Sequence, residues 1–163
     1  MTSISATRPR LRRVMGTVAS LFVVGCVGSL DRTAPFFAAG QEYRLQMTVT
    51  TRPTLIPERA AALGPLQDSV TGTLTVESVV GDSAFGRYQV DLLHLGVMAV
   101  PVAPAEPLFA AVVEGDSVTM RLNPNVTDAG VYLAGRKNTD KILGAWHADQ
   151  GAGIGTFVLS SPR

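Results

Sequence analysis

The chain has 163 residues, of which 46% are hydrophobic and 17% charged, and its formal net charge is +1. That charge is unevenly placed: Arg8, Arg10, Arg12 and Arg13 crowd the start, whereas all 13 acidic residues lie after position 26. Setting those four arginines aside leaves 10 basic against 13 acidic residues, a net of −3. No basic block remains to neutralise a row of phosphates, so nucleic-acid binding by electrostatics is disfavoured.

The four arginines are followed by Val14 to Val24, an apolar run of 11 residues softened by Gly16, Thr17 and Ser20. This is the order of an export signal, and the run is too short for a membrane-spanning helix, which needs about 20 apolar residues. It ends in Val23-Val24-Gly25-Cys26, which resembles the lipobox of bacterial lipoproteins. The resemblance implies a helical signal peptide over residues 1–25, cleavage between Gly25 and Cys26, and a lipid on the Cys26 thiol. The alternative is an uncleaved signal anchor with a free thiol. Cys26 is the only cysteine, so an exported domain would have no internal disulfide. Several acyl chains, at about 0.8 kcal/mol per buried CH₂, would make attachment effectively permanent. Arg12-Arg13 is a weak match to a twin-arginine export signal, because Leu11 precedes the pair and Met15 replaces the usual bulky aromatic. Val27 is not the aspartate that retains lipoproteins at an inner membrane. Delivery to an outer membrane is therefore expected in a cell with two membranes.

Residues 26–40 read as a tether carrying Gly28, Ser29, Pro35 and Gly40, and residues 41–163 as a single domain. Within the tether, Phe36-Phe37 is expected to plug the base of the fold, with membrane contact as the alternative.

From Glu42 onward the dominant period is two. Tyr43, Leu45, Met47 and Val49 alternate with Glu42, Arg44, Gln46 and Thr48, the pattern of a half-buried strand. The next connection, Arg52 to Gln67, holds Pro53, Pro57 and Pro65, with one or two helical turns over Pro57 to Leu63 ended by Gly64. Strands follow over Thr71 to Val79 and Phe85 to Leu95, joined by Gly81-Asp82. After an apolar, proline-interrupted connection from Gly96 to Glu106, Leu108 to Val113 and Val118 to Leu122 are joined by Gly115-Asp116. Glycine and aspartate suit the positive φ of tight hairpins. Val131 to Gly135, a polar turn over Lys137 to Asp140, Ile142 to Ala148, a turn around Gly151 and Gly153, and Ile154 to Ser160 complete the chain.

About eight short strands with almost no helical periodicity indicate an all-β antiparallel meander, as a small closed barrel or, alternatively, a β-sandwich. Gly144-Ala145-Trp146 and Gly155-Thr156-Phe157-Val158-Leu159 resemble the closing hairpin of small lipocalin-like and avidin-like bacterial barrels. That resemblance implies a barrel able to hold one small ligand. Tyr43, Tyr88, Tyr132 and Trp146 are the candidate ligand-lining residues, with core filling as the alternative.

Motifs for chemistry are sparse. Gly81-Asp82-Ser83, Gly115-Asp116-Ser117 and Asp91-Leu92-Leu93-His94 are similar to blocks of GDSL-type hydrolases. In that family the blocks lie far apart on an α/β fold, whereas here Gly81-Asp82-Ser83 and Asp91-Leu92-Leu93-His94 fall within 14 residues on one hairpin, and the two Gly-Asp-Ser blocks read as hairpin turns. Strand alternation would also send Asp91 and His94 to opposite faces. His94 and His147 have no neighbours at metal-ligand spacing, so no metal site is expected. Gly151-Ala152-Gly153-Ile154-Gly155 leads into a strand rather than the helix a phosphate loop needs. No catalytic residue and no cofactor is assigned. Three readings follow: an envelope lipoprotein of structural or protein-contact role, a carrier of a small apolar ligand, and a hydrolase. A continuous cavity of about 300 Å³ or more in the barrel interior would favour the carrier and a solid core would count against it; a cleft joining His94 or His147 to a carboxylate and a hydroxyl would favour the enzyme.

Overall fold

The computed structural model describes residues 35–52, 54, 57–97, 106–127, 130–149 and 153–162. The leader, Gly25, Cys26 and the first part of the tether lie outside the described residues.

Eight strands form in chain order: β1 (Glu42–Thr51), β2 (Ser69–Val80), β3 (Ser83–Gln89), β4 (Leu108–Glu114), β5 (Ser117–Leu122), β6 (Val131–Asn138), β7 (Lys141–Ala148) and β8 (Ile154–Ser160). One short helix, α1 (Pro57–Leu63), lies between β1 and β2. Each strand pairs antiparallel with its neighbours in sequence, and β1 also pairs with β8, from Arg44 opposite Ser160 to Thr51 opposite Ile154. That last ladder makes a closed barrel rather than a sandwich, and closure satisfies both edges of the sheet. Register shifts between Val49 and Thr51 and between Val76 and Ser78 supply local bends of the kind a closing sheet needs.

Alternation along each strand sorts the side chains. Tyr43, Leu45 and Met47 of β1, Leu74 and Val76 of β2, and Ile142 and Trp146 of β7 turn inward and are almost fully buried. Together with inward residues of the other strands they make one contiguous apolar cluster. Removing such side chains from water stabilises the fold by about 1.5–3 kcal/mol each.

The barrel has two unlike ends. At one end lie the tight turns at Gly81, Gly115 and Thr139-Asp140, together with the start of β1. Gly81 and Gly115 have φ of +59° and +61°, the left-handed conformation expected of these hairpins. The turn between β6 and β7 is shorter than the sequence suggests, since β6 continues to Asn138. Phe36 and Phe37 close this end. Phe37 is 2% exposed, and its ring meets Phe36 edge-on at 5.1 Å and Tyr43 at 5.3 Å. The backbone here is hooked onto β2, with Gly40 N–H donating to Val76 O at 2.8 Å.

The other end carries the long connections. Here one sequence expectation is corrected: β3 stops at Gln89, and residues 90–97 form a compact turn instead of continuing the strand to Leu95. Leu92 N–H bonds Val90 O, Gly96 N–H bonds Leu93 O, and Val97 N–H bonds Leu92 O, with Gly96 at φ +75°. The apolar residues of this segment are spaced as in a strand, yet Leu92, Leu95 and Val97 are buried by folding over the end of the barrel. Burial can be met in either geometry, so the alternation is ambiguous there.

Candidate functional site

A groove of about 720 Å³ opens at this second end, where the first half of β2 runs past the end of β3. It is lined by Thr71, Gly72, Thr73, Tyr88, Gln89, the segment Val90 to His94, and Pro107. Ligand sites typically have volumes of about 300–1,000 Å³ and mostly apolar walls with a few polar groups, and this groove fits that description.

Its shape depends on Gly72. A Cβ placed there would stand 1.9 Å from the Gln89 carbonyl oxygen and 2.8 Å from Val90 Cγ2. Only glycine lets the end of β3 lie so close to β2. The turn beyond is tied down by Gln67 N–H donating to His94 O at 2.8 Å. Arg52 braces the same connection, pairing with Asp68 Oδ1 at 2.8 Å and donating to Gln67 O.

The polar groups of the groove are internally partnered. Asp91 accepts the His94 backbone N–H on Oδ1 at 3.1 Å, and its Oδ2 lies 2.5 Å from His94 Nδ1. Burial pushes the Asp91 carboxyl up, but the hydrogen bonds and charge of His94 together outweigh it and hold the group below its ordinary value. Tyr88 is buried and its hydroxyl donates to Asn123 Oδ1 at 2.6 Å. Burial pushes the Tyr88 phenol up, with the Asn123 hydrogen bond acting in the opposite direction. Asn123 sits at φ +56°, and its N–H donates to Leu108 O at 2.8 Å.

No protein-family model matches the chain, and no curated protein matches it. Among solved structures it is similar to fatty-acid-binding protein 1 of Echinococcus granulosus, at 13% identity and TM-score 0.35, over 78% of this chain and 98% of that one. It is also similar to the fatty-acid-binding protein of Manduca sexta, at 15% identity and TM-score 0.35, over 76% and 98%. Likenesses this distant assign neither a ligand nor a residue role to this chain.

Of the four aromatics singled out from sequence, only Tyr88 reaches the groove. Tyr43 belongs to the opposite end, where its hydroxyl donates to Phe36 O at 2.7 Å and accepts from Ala38 N–H at 2.9 Å. Trp146 is core, 2% exposed. Tyr132 lies outside the barrel interior and lines a different depression. Val131 and Leu133 take the inward positions of β6, so Tyr132 faces outside, stacked on His147 at 5.1 Å with Arg121 above its ring at 4.7 Å. A smaller depression beside it, of about 410 Å³, includes Arg121 and Asp149, whose opposite charges lie 3.7 Å apart.

Asp91 and His94 are the second correction. They were expected on opposite faces of a strand, but in a turn residues three apart meet, and here the two side chains are hydrogen-bonded. The groove thus brings a histidine, a carboxylate and the Thr71 and Thr73 hydroxyls into one cleft, the grouping an enzyme reading calls for. Among the described residues no hydroxyl hydrogen-bonds the imidazole, the contact that joins a nucleophile to its base. Also among the described residues, no three His, Cys, Asp or Glu side chains cluster as metal ligands. The signal of the groove that sequence reasoning passed over is Gly72 inside a threonine-rich strand; the Asp-x-x-His spacing was singled out but placed on a strand rather than in a turn.

Proposed function

We propose that this chain is a lipid-anchored envelope protein whose barrel binds a small apolar ligand in the groove at the end of the long connections. The observation that carries the binding reading is the groove itself: about 720 Å³, lined by Thr71 to Thr73, Val90, Leu93 and Pro107 among others. The anchoring reading rests on the Val23-Val24-Gly25-Cys26 motif.

Gentle mass spectrometry of the purified native protein tests both halves. The expected result is a covalent lipid mass on Cys26 and a noncovalent ligand mass. Thr71→Trp, which fills the groove without entering the inner core, should remove the second and keep the first. Cys26→Ala should abolish labelling by a fatty-acid analogue. Labelling that persists in that variant would refute the anchor, and ligand retained by folded Thr71→Trp would refute the groove.

A protein-contact role is the second reading. It draws on the outer face of β7 and β8, where Leu143 and Ile154 are each 49% exposed beside exposed Ala145. Leu143→Lys with Ile154→Lys should then abolish recovery of a crosslinked envelope partner while leaving ligand retention intact.

A further inference from the structure

Building on the groove reading, we infer that the groove selects amphiphiles whose head donates hydrogen bonds, alkyl amines above all, and discriminates against alkyl carboxylates. The charge inventory carries this. Asp91 is the carboxylate among the lining residues, and none of them is lysine or arginine. Among the described side chains, Arg52 is paired with Asp68 and Arg87 with Glu77, each at 2.8 Å, and Arg121 lies 3.7 Å from Asp149. The stretch between Val97 and Glu106 contains no lysine, arginine or histidine.

His94 does not supply the missing cation site. Its Nδ1 lies 2.5 Å from Asp91 Oδ2 and is engaged by that carboxylate. A fatty-acid head placed at this rim would therefore sit beside Asp91 with no cation of its own, a like-charge contact at a partly desolvated site. An ammonium or hydroxyl meets the opposite situation. The Asp91 side chain is 50% exposed, and a carboxylate has about four acceptor positions, of which the backbone and ring of His94 and the backbone of Leu93 engage three. The remaining capacity is open to a ligand donor, and a charge-assisted bond from an ammonium is the strongest of these. Val90, Leu93 and Pro107 provide the apolar lining along which an alkyl chain can lie.

Competition against Nile red with decylamine, decanol and decanoate, each kept below its micelle concentration, tests the inference at constant chain length. The wild type should bind decylamine about three- to tenfold more tightly than decanoate, with decanol between them. In Asp91→Asn the gap should close to within about twofold, whereas Asp91→Glu should keep it. His94→Ala, which frees the carboxylate, should widen it. Decanoate binding most tightly to the wild type, or an unchanged gap in folded Asp91→Asn, would overturn the inference while leaving the groove standing. If none of the three probes displaces Nile red, or if Thr71→Trp leaves all three affinities unchanged, the groove reading itself fails.

Discussion

The indole Nε1 of Trp146 donates to the carbonyl oxygen of Thr48 at 3.1 Å, reaching from β7 to β1 across the intervening strand β8. The ring can do so because the residue it crosses is Gly155, paired directly with Trp146. A Cβ at Gly155 would lie 2.6 Å from Nε1 and 1.9 Å from Thr48 O. Three strands at the closing seam are thus locked by one tryptophan and one glycine.

Gly155→Ala should therefore destabilise the barrel strongly, by about 2–4 kcal/mol, since the methyl group meets backbone as well as the indole. Urea unfolding followed by the fluorescence of Trp146, the chain's only tryptophan, measures this directly. Trp146→Phe should cost about 1–3 kcal/mol through a lost hydrogen bond and a void, read in that case by circular dichroism.

Gly72→Ala tests the lining of the groove. The added carbon would collide with the Gln89 carbonyl, so the end of β3 must lift from β2. The expected outcome is a loss of about 1–3 kcal/mol in stability together with weakened Nile red binding. Unchanged values for both would mean that this close approach does not shape the groove.

Tyr88→Phe removes the hydroxyl that donates to Asn123 in the interior. We expect a loss of about 1–2 kcal/mol, because a buried acceptor is deprived of this donor. The midpoint of urea denaturation should fall with little change in its slope, since the surface exposed on unfolding hardly differs.

The Asp91 to His94 pair should leave a signature in acid. The carboxyl is held below its ordinary value in the folded state, so the unfolded chain binds the proton first as pH falls. Its contribution is full above the unfolded value of about 3.9 and disappears as pH drops through the lower folded value. Wild-type stability should therefore fall more steeply below about pH 4 than that of Asp91→Asn. The effect will be small, because the carboxylate is half exposed and screened. Identical acid limbs for the two proteins would show that the pair is not formed in solution.

Most of the barrel was legible from local pattern. Tyr43, Leu45 and Met47 point inward as their spacing demands, and Gly81 and Gly115 take the positive φ their turns require. The helical turn over Pro57 to Leu63, ended by Gly64, also forms as read. The candidate site was less legible. Among the four aromatics the sequence pattern could name which were strand residues, but Tyr132 was offered as a lining residue although its neighbours Val131 and Leu133 already held the inward positions.

The amino-acid sequence by itself determined the all-β class, the number of strands and most of their turns, because side-chain alternation and turn chemistry act over a few residues. Tertiary structure alone decided that β1 meets β8, that the segment after Gln89 folds over the barrel end, and that Asp91 touches His94. Each of those depends on contacts between distant parts of the chain, or on a choice between strand and turn that burial of Leu92 and Leu95 satisfies either way. The groove exists because Gly72 admits a backbone 17 residues further along, and periodicity carries no record of such an approach.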